Sequence, residues 1–211
     1  MPSGAVGLAG PDAPIPSWAG ARRLASPALA TVARCLQWIS PHGTPLTDAE
    51  AEMKGDKKVL TVLNELLADE LTAISQYMVH SEMCENWGYE KLHKAIEGQA
   101  VDEMHHAEWL IQRIIFLEGA PVVSKLHPIR IGKDVPAIIG TDQEDEVGAI
   151  KAYNAGIRVA REAADQSTVD LLTKILKMEE GHVDWAEAQR DQIAQMELPN
   201  YLANQVGGAA S

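Results

Sequence analysis

The sequence predicts an all-α protein: a four-helix bundle with one long connection between its second and third helices and a short fifth helix at the C-terminal end. Three observations predict it. Apolar residues recur at three- and four-residue steps in four segments, turn-forming residues separate these segments, and uncommon residues of the first half repeat in the second half at one constant offset. The sequence has no strand-like alternation of useful length.

The first two predicted helices are separated by a short turn. The first begins near Asp56 and ends near the turn signal Asn86-Trp87-Gly88. The second closes at Gly119-Ala120-Pro121. The apolar stripe of the first helix consists of Val59, Leu63, Leu66, Leu67, Ile74 and Met78, and that of the second consists of Ile96, Ala100, Ala107, Leu110, Ile111 and Ile114.

A long irregular connection, residues 122–134, follows the second helix. The third helix begins around Val135-Pro136, where proline is tolerated in the first turn, and runs to about Ala163. The fourth runs from about Gln166 to Met196, and a short piece from Leu198 to Gln205 closes the fold. Each main helix holds roughly 28 residues and extends about 42 Å. A bundle with one crossover of this kind has the ferritin-like topology.

The chain divides into three parts. Residues 53–205 form the helical domain, and residues 206–211 are a flexible Gly/Ala/Ser tail. Residues 1–52 have four prolines before position 18 and little periodicity. We therefore expect an N-terminal extension that is disordered or translated from a misassigned start, with Met53 the natural beginning. No run of 18 apolar residues exists, so the sequence predicts no membrane span.

The composition limits the partners. The net charge is −12, from 30 acidic against 18 basic residues, whereas binding to nucleic acid needs clustered lysine and arginine. An acidic chain is compatible with metal cations. Cys35 and Cys84 have no metal-ligand spacing and give no disulfide framework, so a cytoplasmic location is expected. We expect neither nucleic acid nor a membrane as a partner.

The two halves of the helical domain repeat each other. Three candidate metal ligands recur 76 positions later with no change of spacing, and the same offset aligns Trp109 with Trp185. Chance does not readily align two histidines, three glutamates and two rare tryptophans without a gap. The repeated ligands are Glu70, Glu103 and His106 in the first half and Glu146, Glu179 and His182 in the second.

These repeated residues have the pattern of a two-metal site. Each Glu-x-x-His motif places two ligands on one helix face, and that face carries the apolar stripe. Four buried carboxylates need compensating charge, which two divalent cations supply. Carboxylate oxygen with imidazole favours iron or manganese, and a glutamate from each of two helices plus two Glu-x-x-His motifs is the di-iron carboxylate arrangement. Symmetry gives each metal one histidine and one terminal glutamate, with Glu103 and Glu179 as bridges.

From Met53 to about Gln205 the sequence resembles the bacterioferritin family. The segments that carry the resemblance are Met53-Lys54-Gly55-Asp56, Leu117-Glu118-Gly119 and Glu179-Glu180-Gly181-His182-Val183-Asp184-Trp185. The resemblance implies a hollow homo-oligomeric shell of 24 subunits that oxidises Fe(II) with dioxygen or peroxide and stores the ferric mineral. It implies that the six repeated ligands form a di-iron ferroxidase centre, and it makes a ferredoxin-type protein the candidate reductant for iron release.

The resemblance also implies haem b at a two-fold subunit interface, with Met104 as its axial ligand. It implies that Tyr77, two turns beyond Glu70, lies beside the iron site as an electron donor. Trp185 is assigned a packing role. An accessory iron site on the inner surface is doubtful, because Gly98 occupies the position where some members of the family have a histidine, although Asp102 is present.

Two other functions remain open from the residues. One is a di-metal (Mn/Fe) peroxidase or catalase of the same fold. The other is a haem-binding structural subunit of a mixed ferritin shell, without catalysis. Four further histidines, which show no partner at useful spacing, are assigned no role in the site: His80, His93, His105 and His127.

Overall fold

The computed structural model describes residues 54–207, which form five helices and, within that range, no strand. The helices are α1 (Lys57–Asn86), α2 (Glu90–Phe116), α3 (Val135–Glu162), α4 (Gln166–Met196) and α5 (Leu198–Gln205). The predicted all-α, ferritin-like class is confirmed. The predictions for residues 1–52 and for most of the tail 206–211 concern residues outside the described range, and the domain boundaries stay predictions.

Four helices form the bundle, and they pair as two hairpins. α1 packs on α2, α3 packs on α4, and the contact between α1 and α3 joins the hairpins. The link between α2 and α3 is the long crossover that the sequence predicts. Among the described residues, no helix is both long enough and apolar enough to cross a membrane.

Side-chain caps define where the helices begin. The Asp56 carboxylate accepts hydrogen bonds from the backbone at the start of α1, and Asp134 accepts one from Ala137 N–H at the start of α3. Asp165 caps α4 and also pairs with Arg113 of α2. Because a cap satisfies backbone donors that have no partner inside the helix, each of these aspartates favours one starting point for its helix.

The crossover is hydrogen-bonded to one face of α1. Three of its backbone N–H groups donate to three α1 side chains that lie four residues apart. These bonds are His127 N to Thr72 Oγ1 (2.9 Å), Arg130 N to Gln76 Oε1 (2.9 Å) and Gly132 N to His80 Nε2 (3.0 Å). Since His80 Nε2 accepts, its Nδ1–H is free to donate to the buried Asp142 carboxylate of α3, 2.9 Å away. The crossover is therefore tied to both hairpins.

The apolar core consists of two clusters, one toward each end of the bundle. One cluster surrounds Leu63, Leu110 and Leu172, and the other surrounds Ile96 and Ile138. The side chains in both are almost fully buried. The predicted metal ligands occupy the sequence positions between the clusters, so the polar centre of the bundle has an apolar layer at both ends.

Gly132 and Gly98 give a matched test of the crossover. A Cβ on Gly132 would lie 2.4 Å from Ile138 N, whereas a Cβ on the exposed, helical Gly98 would meet nothing within 4 Å. We expect Gly132→Ala to destabilise the protein by about 1–3 kcal/mol through overpacking. Gly98→Ala should stabilise it by about 1 kcal/mol, since alanine has the higher helix propensity.

Guanidinium unfolding of the two variants and the parent measures both effects. A glycine-to-alanine change affects the unfolded state in the same way in both variants. The difference between their free energies of unfolding therefore reports the effect on the folded state. Equal changes at the two positions would contradict the close approach of the crossover to α3.

Candidate metal centre

All six predicted ligands lie together in the middle of the bundle, and each main helix supplies at least one. The side chains are almost completely buried, the most accessible being His182 with 8% exposure. They are Glu70 on α1, Glu103 and His106 on α2, Glu146 on α3, and Glu179 and His182 on α4. Their atoms form two groups of four possible ligands, which share Glu103 and Glu179.

The first group surrounds His106. Its Nδ1 lies 2.7 Å from Glu103 Oε2 and 3.0 Å from Glu179 Oε1. Glu70 Oε2 is 3.5 Å from the same nitrogen. Three carboxylates from three helices thus converge on one imidazole nitrogen.

The second group surrounds His182 and repeats the first. Its Nδ1 lies 3.0 Å from Glu103 Oε1 and 3.4 Å from Glu179 Oε2. Glu146 Oε1 is 3.4 Å away. Glu103 and Glu179 therefore direct one oxygen to each histidine, which is the arrangement expected of bridging carboxylates.

The donor set fits two divalent cations. Glu103 Oε1, both oxygens of Glu179 and His182 Nδ1 are buried and lack a hydrogen-bond partner. Glu103 Oε1 and Glu179 Oε2 lie 3.0 and 3.4 Å from His182 Nδ1. Unsatisfied buried polar atoms cost free energy, and a cation placed between such atoms would satisfy them. Oxygen and imidazole donors suit iron, manganese or zinc.

Burial and mutual contact separate the pKa values of these groups. Burial raises the pKa of Glu146 to about 8. Burial acts on Glu103 in the same direction, but the hydrogen bond with His106 and the neighbouring His182 imidazole outweigh it and hold the pKa of Glu103 at about 2. For His106, burial opposes the charged form, yet Glu103, Glu179 and Glu70 raise its pKa to about 12. Without a metal, imidazolium groups provide the compensating charge.

Two tyrosines hold the terminal glutamates. The Tyr77 hydroxyl donates to Glu146, and the Tyr153 hydroxyl donates to Glu70. Burial, followed by the neighbouring carboxylates, raises the pKa of both phenols well above the usual range, so both remain protonated donors. The sequence analysis assigned a role to Tyr77 alone. Tyr153 lies 76 positions after Tyr77, and applying the repeat to every residue would have identified it.

The outer nitrogens of the two histidines have different partners. His182 Nε2 lies 3.5 Å from Asp102 Oδ2, and His106 Nε2 lies 3.4 Å from Met178 Sδ. An outer carboxylate of this kind fixes the tautomer of a ligating histidine. Asp102, considered from the sequence only for an inner-surface iron site, thus contacts the centre through His182.

A cavity of about 320 Å³ leads from the surface to the centre between α1, α3 and the crossover. Four glutamates of the centre line its inner end. Asp69 and Asp145 line it farther out, and each is paired with a side chain of the crossover. Asp69 lies 3.1 Å from His127 Nε2, and Asp145 pairs with Arg130.

The other residues named from the sequence lie outside the centre. The Met104 side chain is 53% exposed on α2, away from the six ligands, and half-buried Trp185 packs on the apolar cluster around Ile96. The sequence spacing offered no partner for the further histidines, and in the structure three of them contact residues from other parts of the chain. These pairs are His80 with Asp142, His93 with Ser81 and His127 with Asp69.

The fold and the site define a class: four-helix bundles whose buried glutamates and Glu-x-x-His motifs form two adjoining cation sites. Sequence comparisons agree. The sequence model of the ferritin family, described as a ferritin-like domain, matches residues 60–196 of this chain. The chain is 42% identical over 155 residues to a bacterial ferritin of Synechocystis sp., covering 73% of this chain and 99% of that protein.

Two further relatives are similar over the same domain. A bacterial ferritin of Paramagnetospirillum magnetotacticum is 40% identical over 75% of this chain and 98% of its own length. A bacterioferritin of Brucella melitensis is 37% identical over 71% of this chain and 92% of its own length. The chain belongs to the bacterioferritin family of ferritin-like proteins, and the resemblance found in the sequence is confirmed.

Cation binding should stabilise the folded protein through the shared glutamates. At a Zn²⁺ concentration one hundred times the dissociation constant, one site adds about 2.7 kcal/mol to the free energy of unfolding. We expect Zn²⁺ to raise the Tm of metal-free parent protein, and to raise that of Glu103→Gln much less. Glu108→Gln changes an exposed carboxylate of the same helix and should keep the full shift. Calorimetry showing equal shifts for the two variants would contradict the assignment.

Proposed function

We propose that this chain takes part in iron storage and oxidises Fe(II) at the centre formed by the six ligands. The observation that carries the proposal is the sharing of Glu103 and Glu179 between two histidine-containing groups. Two Fe(II) ions are bound there as substrates, each by one histidine and one terminal glutamate. The family membership and the relatives named bacterial ferritin and bacterioferritin support the same function.

The proposed reaction removes one electron from each of two Fe(II) ions. With dioxygen as the acceptor, two Fe(II), one O₂ and two protons give two Fe(III) and one hydrogen peroxide. With peroxide as the acceptor, two Fe(II), one H₂O₂ and two protons give two Fe(III) and two water molecules. The chain contributes placement and charge: Glu103 and Glu179 hold the ions adjacent, so that the acceptor receives two electrons together.

The two tyrosines and the cavity support separate steps of this function. Tyr77 and Tyr153 orient the terminal glutamates by hydrogen bonds, and we assign Tyr77 the further role of electron donor. The cavity gives Fe(II) an acidic path to the centre past Asp69 and Asp145. Removal of the paired aspartates would leave the centre intact and slow its loading.

The oxidation assignment is tested by Glu103→Ala. Loss of a shared ligand should lower the rate of Fe(II) oxidation by more than about 100-fold, because even residues that only support a ligand cost 10–100-fold when changed. Stopped-flow absorbance at two Fe(II) per chain measures the rate. Glu108→Ala, an exposed change on the same helix, should oxidise Fe(II) like the parent. A Glu103→Ala protein as fast as the parent would overturn the assignment.

We also propose that Met104 is an axial ligand of haem b at an interface between two copies. The thioether side chain of Met104 is exposed on α2. Val101, three residues earlier on the same helix, is a second exposed apolar side chain. Haem, when bound, would supply a one-electron redox group, and Met104 would hold its iron from one side. The homo-oligomeric shell of 24 subunits, the ferredoxin-type reductant and the cytoplasmic location stay predictions.

The haem assignment predicts a change in the absorption spectrum. Protein reconstituted with haem should show the bands of bis-methionine ligation, and Met104→Leu should lose them, since leucine offers no sulfur. Met196→Leu, at the end of α4, is the matched control and should keep the parent spectrum. Persistence of the bis-methionine bands in Met104→Leu would refute the role of this residue.

A further inference from the structure

A second group of potential metal ligands lies near the turn between α1 and α2, outside the centre. Glu82 and Glu85 of α1 and His93 of α2 each offer one ligand atom, and these atoms lie within 4.8 Å of one another. Glu82 is 12 residues beyond Glu70, which corresponds to about 18 Å along the helix. We propose that Glu82, Glu85 and His93 bind one divalent transition-metal cation at the surface of each chain.

The orientation and tautomer of His93 are set by Ser81. Ser81 is 2% exposed, and its hydroxyl donates to the His93 carbonyl oxygen at 3.1 Å. The hydroxyl proton is therefore in use, and the same oxygen can accept from His93 Nδ1, 2.9 Å away. The Ser81 carbonyl oxygen, which can only accept, is 3.3 Å from the same nitrogen. Two oxygens that can accept lie next to Nδ1, which favours the tautomer with the proton on Nδ1 and the lone pair of the neutral ring on Nε2.

A histidine that donates from one nitrogen to a buried oxygen and offers the other nitrogen is the usual form of a ligating imidazole. In His93 the donating nitrogen is Nδ1, and Nε2 lies on the side where Glu97 Oε2 is 3.9 Å away. The ring is held by a residue outside the ligand set. The contact with Ser81 thus leaves Nε2 as the ring nitrogen that can bind a ligand.

The two carboxylates are available to a cation. Glu82 and Glu85 lie three positions apart, on one face of α1. Within residues 54–207 neither has an ion pair with lysine or arginine or a side-chain hydrogen bond. Two carboxylates with a neutral imidazole carry a charge of −2, which one divalent cation neutralises.

The ligand types indicate the kind of cation. One imidazole nitrogen with two carboxylate oxygens suits Zn²⁺, Fe²⁺ or Co²⁺, whereas Mg²⁺ and Ca²⁺ are bound by oxygen ligands. A purely acidic patch would bind Ca²⁺ or Mg²⁺ without regard to His93. Dependence on the imidazole therefore distinguishes a metal site from an acidic surface. The proposal does not rest on the oxidation activity.

Zn²⁺ binding to the metal-free, full-length protein tests the proposal. Isothermal titration or equilibrium dialysis gives the number of ions bound per chain. We expect His93→Gln to bind one Zn²⁺ fewer per chain than the parent. His105→Gln is the matched control: His105 is an exposed histidine of the same helix that has one carboxylate, Glu108, at 3.7 Å. It should bind the same number as the parent.

Ser81→Ala separates coordination from general attraction. The variant removes no ligand and no charge, but it removes the hydroxyl that accepts from Nδ1. We expect it to keep the site with an affinity about 10–100-fold weaker, the usual effect of losing a residue that supports a ligand. A surface that merely attracts cations would show no change.

Three results would overturn the proposal: equal Zn²⁺ stoichiometry in parent and His93→Gln, loss of one ion in His105→Gln as well, or unchanged affinity in Ser81→Ala. Parent protein that binds Ca²⁺ at this place as tightly as Zn²⁺ would also overturn it. These readouts use a redox-inert ion, so failure of the surface site would leave the oxidation assignment untouched, and failure of oxidation would leave the surface site untouched.

Discussion

The structure depends on compensating four carboxylates buried in the middle of an apolar bundle. Left alone, these groups would repel one another and would lose hydration that nothing replaces. In the metal-free chain the two imidazoles supply positive charge, as the pKa of about 12 for His106 and about 2 for Glu103 indicates. The terminal glutamate Glu146, with a pKa of about 8, stays neutral over much of the ordinary pH range. Binding of cations would replace these protons and release them.

This electrostatic demand explains the surrounding packing. An apolar cluster lies toward each end of the bundle, and each cluster contains one of the two tyrosines. From there the tyrosines donate to the terminal glutamates. Neutral phenols satisfy carboxylate oxygens without adding charge, so they suit both the protonated and the metal-bound centre. The shared glutamates have no such donors, and their unsatisfied oxygens remain directed at the histidines. Preorganisation for cations is therefore concentrated in Glu103 and Glu179.

The sequence predicted the features that depend on period and repeat. The helix ends at Asn86, Met196 and Gln205 could be read from turn signals and apolar stripes, and the constant offset brought out the six ligands. The contacts of His80, His93 and His127 could not be predicted, because each depends on which distant segment folds against it. The crossover supplies His127 to Asp69, and no periodicity in residues 122–134 indicates that pairing.

The two halves differ where only one of them has a covering segment. Along α1 the crossover is bound by Thr72, Gln76 and His80, and the same offset of 76 places Gly148, Ala152 and Gly156 on α3. The offset likewise pairs Asp142, the partner of His80, with Leu66, and a Cβ on Gly156 would lie 3.3 Å from Leu66 Cδ1. A hydrogen-bonded anchor in one half thus corresponds to close apolar packing in the other. The chain passes from hairpin to hairpin once, so only one of the two equivalent faces needs polar groups to receive its backbone. The centre, which both halves must complete, stays symmetric.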